Sequence, residues 1–147
     1  MNKKISILIL VLFVVVANSM IGQEAIVGKW KTIDDDTGEA KSVIEIYKKD
    51  NKYYGRIDEI LVKEDGAENC SKCEGKYKNT PLKGVVIMND LQKDGDEYED
   101  GTIVDPENGK TYRCKIWVDE NNPNVLNVRG YIAFLYRTQQ WLSLIHI

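Results

Sequence analysis

Gly101-Thr102-Ile103-Val104-Asp105-Pro106-Glu107-Asn108-Gly109-Lys110-Thr111-Tyr112 runs directly into Arg113-Cys114-Lys115-Ile116-Trp117-Val118-Asp119. From Tyr112 onward the polarity alternates strictly. Tyr112, Cys114, Ile116 and Val118 fall on one face, and Arg113, Lys115, Trp117 and Asp119 on the other. A period of two is that of a strand with one buried face, because successive side chains leave the backbone on opposite sides. Glu97 to Val104 is a second strand. Between them, Asp105 is able to bond nearby amides, Pro106 cannot donate to a ladder, and Asn108-Gly109 tolerates the positive φ of a tight connection. The stretch predicts an antiparallel hairpin.

The same rhythm continues in both directions. Gly28 to Ile33 is a strand, turned by Asp34-Asp35-Asp36-Thr37-Gly38-Glu39. Ser42 to Lys48 follows, then Asp50-Asn51, then Tyr53 to Leu61. Gly84 to Leu91 precedes a turn at Asp94-Gly95. Downstream, Asn121-Asn122-Pro123-Asn124 leads into Val125 to Tyr131, and Tyr136 to Trp141 is the last strand. About eight short strands in meander order predict an all-β fold, a small antiparallel barrel whose interior holds side chains or one small ligand. A flat sandwich is the competing architecture. Helical periodicity is absent, with room for one short helix within Pro81 to Leu91. One segment, Val62 to Lys83, breaks the pattern. It is charged, contains Cys70-Ser71-Lys72-Cys73, and is long enough to be functional or mobile.

The two ends read differently from the middle. Lys3 and Lys4 precede an apolar run from Ile5 to Ala17, with small residues at Ser19 and Gly22. This is the pattern of an export signal, and the run is too short for the roughly 20 residues that span a bilayer. Residues 1–23 are therefore expected to be a signal peptide, and residues 24–141 a single β-barrel domain. The mature protein is expected to be exported to the periplasm or the exterior without membrane insertion. Leu142-Ser143-Leu144-Ile145-His146-Ile147 resembles the translation of a transposase sequencing adapter, so residues 142–147 are expected not to be native. His146 is the only histidine.

The formal charge is −3, and −5 once Lys3 and Lys4 are set aside. Along the chain the basic residues lie scattered among acidic ones. That balance argues against nucleic acid, which requires a basic footprint, and against anionic membrane surfaces.

Motifs for chemistry are sparse. With no histidine outside the tail and no Gly-x-Ser-x-Gly, nucleophilic catalysis lacks its parts. Cys70-x-x-Cys73 has three readings: a zinc half-site, a thioredoxin-type redox pair and a disulfide. Zinc needs about four ligands, and Cys114 belongs to an inward strand face. Redox chemistry wants the pair at a helix N-terminus. A Cys70–Cys73 disulfide, formed in an oxidising compartment, fits best. No metal and no cofactor are expected. Asp34-Asp35-Asp36 departs from a calcium loop in its glycine position and reads as a solvated turn.

Several motifs together resemble a known family. They are Gly28-x-Trp30, Asp34-Asp35-x-Thr37-Gly38, Tyr54-Gly55-Arg56-Ile57, Cys70-x-x-Cys73, Pro81-Leu82-x-Gly84, Gly101-x-Ile103-x-Asp105-Pro106-x-x-Gly109-Lys110-x-Tyr112 and Val128-Arg129-Gly130-Tyr131. In this order they resemble the secreted bacterial family known as domain of unknown function 2147. The resemblance implies a lipocalin-like (calycin) barrel exported by a Gram-negative bacterium, and no established activity. In such barrels a Gly-x-Trp on the first strand closes one end with a late basic residue. Trp30 is accordingly expected to stack with Arg129 or Arg137. Gly28, Trp30, Asp105, Pro106, Gly109 and Arg137 are expected to be structural. Tyr54, Arg56, Trp117, Arg129 and Tyr131 are the expected ligand contacts. The functional expectation is a module binding a small, partly apolar ligand. The alternative is an envelope interaction protein with a filled barrel.

Overall fold

The computed structural model describes residues 24–62 and 68–144. The expected signal peptide, part of the long loop, and Ile145 to Ile147 lie outside the described residues. Eight strands form a closed antiparallel barrel in sequence order. They are β1 (Gly28–Ile33), β2 (Ala40–Lys49), β3 (Lys52–Ile60), β4 (Val86–Asp94), β5 (Glu97–Val104), β6 (Thr111–Val118), β7 (Val125–Ile132) and β8 (Leu135–Ser143). Closure excludes the flat sandwich. Among the described residues the one helical piece is a 3₁₀ turn at Gly75–Tyr77, and Pro81 to Leu91 leads into β4 instead of hiding a helix.

The inward faces follow the predicted alternation. Cys114 and Ile116 of β6 are buried, as are Ile44 and Ile46 of β2, Tyr53 and Ile57 of β3, and Leu126 and Val128 of β7. Curling eight strands into so narrow a barrel requires local bends. Asp90 in β4 and Asp100 in β5 supply one, with φ of 58° and 61° and an interrupted ladder around them. Bulges of this kind raise local twist and let a sheet close. Tyr54 and Lys52 on β3 hold Asp90 there, the tyrosine hydroxyl donating to Oδ1 at 3.0 Å. Asp50 and Asn51 join β2 to β3 with φ of 49° and 65°, the backbone of a two-residue turn whose twist matches the strands.

One end of the barrel is sealed by the chain that precedes β1. A turn, with Val27 N–H donating to Glu24 O at 3.0 Å, lays fully buried Ile26 into the opening. Trp30, 3% exposed, packs beneath it and donates its indole N–H to Ile26 O at 2.9 Å. Glu24 accepts from the hydroxyls of Tyr53 and Tyr98 and pairs with Lys48. The two tyrosine rings meet edge to face, 4.7 Å apart. The plug is thus aliphatic, aromatic and carboxylate, and no guanidinium takes part. The expected stacking of Trp30 with Arg129 or Arg137 is not what forms. Arg129 is out of phase with buried Val128 and leaves the wall outward. Arg137 lies six residues from Ser143, the β8 residue opposite Trp30, a span of roughly 20 Å.

β1 meets β8 over two rungs only, Trp30 with Ser143 and Lys31 with Leu142, and Leu144 N–H adds a bond to Lys29 O at 3.1 Å. All three β8-side residues belong to the tail expected to be adapter-derived. A backbone ladder uses no particular side chain, so it is indifferent to their origin. Deleting residues 142–147 is therefore expected to open the seam and lower the melting temperature, while an unrelated segment of equal length restores most of it. A deletion that melts like the full chain would show that these rungs hold nothing.

Candidate functional site: the open mouth of the barrel

The opposite end carries three hairpins and the disulfide loop. Two of the hairpins use one device. Asp34 accepts the N–H of Gly38, and Asp105 that of Gly109, each at 2.8 Å. Asp34 N–H donates to Glu39 O at 2.8 Å, and Asp105 N–H to Lys110 O at 2.9 Å. The side chains finish each turn. Asp34 Oδ1 accepts from the N–H groups of Asp36 and Thr37, and Asp105 Oδ1 from that of Glu107 at 2.9 Å. Side-chain carboxylates bonding the amides that follow are the ordinary way Asp starts a turn. Asp34 is held well below the usual carboxylate range by Lys41 and by the Thr37 amide.

The hairpins are tied across the mouth by charge. Lys41 bridges Asp34 and Glu107, and Arg137 pairs with Asp35. Burial raises the Asp105 carboxyl above its ordinary value, against the pull of Arg137 and Lys41. Cys70 and Cys73 form the expected disulfide, and both are buried in the main apolar cluster with Leu82 and Val104. That loop rests on the β5–β6 hairpin, with Cys70 Sγ 3.8 Å from Pro106 O.

Two open clefts flank this end. One, of about 510 Å³, lies between the disulfide loop and the β5–β6 hairpin and reaches Val104, Tyr112 and Ile132, with Lys72 and Lys110 on its rim. The other, of about 530 Å³, is the notch where β1 and β8 part, between Asp34, Asp35 and Gly38 on one side and Asn127, Thr138 and Gln140 on the other. Among the described residues no group of His, Cys, Asp and Glu converges as a metal would require.

The five residues expected to contact a ligand do not enter the barrel. Tyr54 and Arg56 alternate with buried Tyr53 and Ile57, so they stand on the outer wall. There Arg56 pairs with Glu45 and lies over the Tyr47 ring. Trp117, Arg129 and Tyr131 form a second outer group. The Arg129 guanidinium sits 4.9 Å from the Trp117 ring and 4.3 Å from that of Tyr136, and its Nε–H donates to Thr138 Oγ1 at 2.8 Å. Phase is the physical reason in every case: each stands an odd number of residues from a core position of its strand, Tyr131 three from Val128 and the others one from theirs. Of the expected structural residues, Gly28 starts β1, and Asp105, Pro106 and Gly109 belong to the β5–β6 hairpin, where Gly109 lines the cleft beside the disulfide loop.

Residues that the sequence reading passed over occupy the mouth instead. Ile132 and Leu135 continue the inward phase of β7 and β8 past the packed core, and they face each other across the tip. The signal lay in Ile132-Ala133-Phe134-Leu135-Tyr136, five apolar residues at a turn where polar ones are the rule.

Cys114 is buried inside the barrel, and its thiol is pushed up to about 12 by loss of solvent. Burial and the neighbouring Glu24 also push Tyr98 to about 12. The folded state thus keeps two protons that the unfolded chain, with pKa values of about 8.5 and 10, releases earlier. Stability is fully present below the lower of these values and is lost as pH rises from there towards 12. Melting temperatures should fall through that window, and Cys114→Ala should remove the earliest part of the fall. A profile unchanged by Cys114→Ala would contradict the assignment. Cys114 should also resist thiol reagents until the barrel unfolds.

Protein HP1028 from the human pathogen Helicobacter pylori, described as belonging to the lipocalin family, has a similar structure. The likeness has a TM-score of 0.69 at 21% sequence identity, over 82% of this chain and 84% of that one. It shows a shared lipocalin-like fold. No curated protein sequence matches this chain. The family model described as "Uncharacterized protein conserved in bacteria (DUF2147)" matches residues 28–143, and the chain belongs to that family.

Proposed function

We propose that the protein is an exported binding module that holds a small, partly apolar molecule at the open mouth of its barrel. The observation that carries this reading is the contrast between the two ends. One is plugged by Ile26 and Trp30. At the other, Ile132 and Leu135 keep the inward phase yet are 54% and 64% exposed. Leaving large apolar side chains in water costs about 1.5–3 kcal/mol each relative to burial, and an apolar ligand would recover part of it. The interior below is filled by Met88, Leu91 and Ile116, so the ligand sits shallowly, against Tyr112 and Ile132. Lys72 and Lys110 on the rim favour a ligand with an anionic end. The export signature and the disulfide support a periplasmic or extracellular address in a Gram-negative host.

The filled interior also supports a second reading, an envelope interaction protein without ligand that uses the disulfide loop as its contact. Native mass spectrometry of freshly purified protein, with titration of a fluorescent fatty-acid analogue, separates the two. Binding that is weakened by Tyr112→Ala and by Ile132→Asp supports the ligand reading. Absence of both a co-purified molecule and probe binding would leave the interaction reading in its place.

A further inference from the structure

We infer that the β7–β8 hairpin tip docks the barrel onto anionic lipid bilayers. Four large apolar side chains at this tip face solvent: Ile132, Phe134, Leu135 and Tyr136, with Phe134 88% exposed. Single exposed apolar residues are common, but a contiguous exposed group at a loop tip marks a contact surface.

The order of residues below the tip identifies the contact. Tyr131 and Tyr136 form the next rung, ring against ring at 6.1 Å, on the outer face beside Arg113 of β6. Arg129 lies two rungs further down, under the Tyr136 ring. Hydrocarbon side chains, then amphipathic aromatics, then cations is the order met on leaving a bilayer. Apolar groups enter the acyl boundary, tyrosines sit at headgroup depth, and Arg or Lys meets the phosphates. Arg113 lies about 10 Å from Phe134 by strand rise, close enough for both to engage at once.

The charge distribution points the same way. Between Lys110 and Val118, and from Val125 to the end of the sequence, no Asp or Glu occurs, while Lys110, Arg113, Lys115, Arg129 and Arg137 do. Glu97 and Asp35 neutralise Lys115 and Arg137. Lys110, Arg113 and Arg129 have no carboxylate partner among the described residues. A net charge of −3 disfavours an anionic surface when averaged over the chain. Folding gathers these cations onto one wall, and it is the wall that meets the lipid. The same cations disfavour a second copy as the occupant, because a two-fold contact would set each basic patch against its own image.

Docking stands without the ligand reading, although the two are linked through Ile132, which belongs to both tip and cleft. Bilayer contact would hold the mouth against a source of apolar molecules.

The test is flotation of protein recovered after export, its N-terminus checked by mass, with vesicles of phosphatidylcholine alone or with added phosphatidylglycerol. Wild type is expected to float with the anionic vesicles, less with the neutral ones, and less again at raised salt. Phe134→Asp should weaken partition by at least about tenfold, from the lost apolar insertion. Arg113→Glu, which leaves the tip intact, should weaken it by roughly fivefold or more. Both variants should melt as wild type does, and Phe134→Asp should keep binding the fatty-acid probe. A wild type that stays out of anionic vesicles, or a Phe134→Asp variant that floats equally well, overturns the inference. So does a concentration-dependent dimer that Phe134→Asp dissolves in the absence of any vesicle binding. Loss of probe binding with flotation intact would count against the ligand reading alone.

Discussion

Trp30→Ala is expected to destabilise the protein by about 3–5 kcal/mol, the usual cost of truncating a buried aromatic. Against a total of about 5–15 kcal/mol, this leaves a marginal fold. Its effect is large because the indole does two things at the sealed end. It fills the space under Ile26, and its N–H satisfies Ile26 O at 2.9 Å, holding the preceding turn in place. Removing it leaves a void and frees the segment that carries Glu24 to Tyr53 and Tyr98. Trp30→Phe separates the two contributions in part, since it keeps an aromatic ring under Ile26 and removes the hydrogen bond, worth about 1 kcal/mol. Asp105→Asn is the contrasting change. An amide oxygen still accepts from Glu107 N–H, so its cost should be well under that of Trp30→Ala. Urea melts of the three variants beside wild type decide the matter. A Trp30→Ala protein within about 1 kcal/mol of wild type would mean that the sealed end contributes little, and the contrast between the two ends would lose its energetic basis.

The architecture was legible because strand alternation and turn chemistry are local. Strand β6 announces its faces residue by residue, and the Asp34 and Asp105 turns carry their own hydrogen-bond partners within five positions. The bounds of β1 and β5 follow from the same signals. β4 runs three residues past its expected end because Asp94 still pairs with Glu97, which moves the turn onto Gly95 and Asp96. The site was less legible, for a reason of geometry. Tyr54, Arg56, Trp117, Arg129 and Tyr131 look like binding residues by type, but type does not say which side of a closed wall a residue occupies; only its phase against buried neighbours does. Applied to Arg129 beside Val128, that test places it outside. The mouth was missed for the opposite reason: Ile132 and Leu135 look like core by type, and only the end of packing around them leaves them in solvent. The charge balance read along the chain likewise carries no spatial information. Basic residues scattered along the chain become one wall when β6, β7 and β8 are laid side by side.

Gly109→Ala is the second substitution expected to have a large effect, and Gly38→Ala is its internal control. Both glycines occupy the same place in the same hairpin device, with φ of 73° and 74°. A left-handed conformation costs an alanine about 1–2 kcal/mol, so that part is common to the two. Their surroundings differ. A Cβ on Gly38 meets open space, whereas one on Gly109 would lie far inside the van der Waals contact distance of the Lys72 carbonyl oxygen, with Cys73 N close behind. The obstacle is backbone, and it belongs to a loop pinned by the Cys70–Cys73 disulfide, so it cannot swing aside as a side-chain end would. Relieving the overlap means lifting the disulfide loop off the β5–β6 hairpin, at a further cost of about 1–3 kcal/mol for overpacking. Gly109→Ala is therefore expected to lose about 2–5 kcal/mol, and Gly38→Ala only the first part. Lifting the loop should also expose the disulfide, so mild reductant should cleave it faster in Gly109→Ala than in Gly38→Ala. Equal melting temperatures and equal reduction rates for the two variants would show that the loop does not rest on Gly109, and the cleft beside Tyr112 would lose one of its walls.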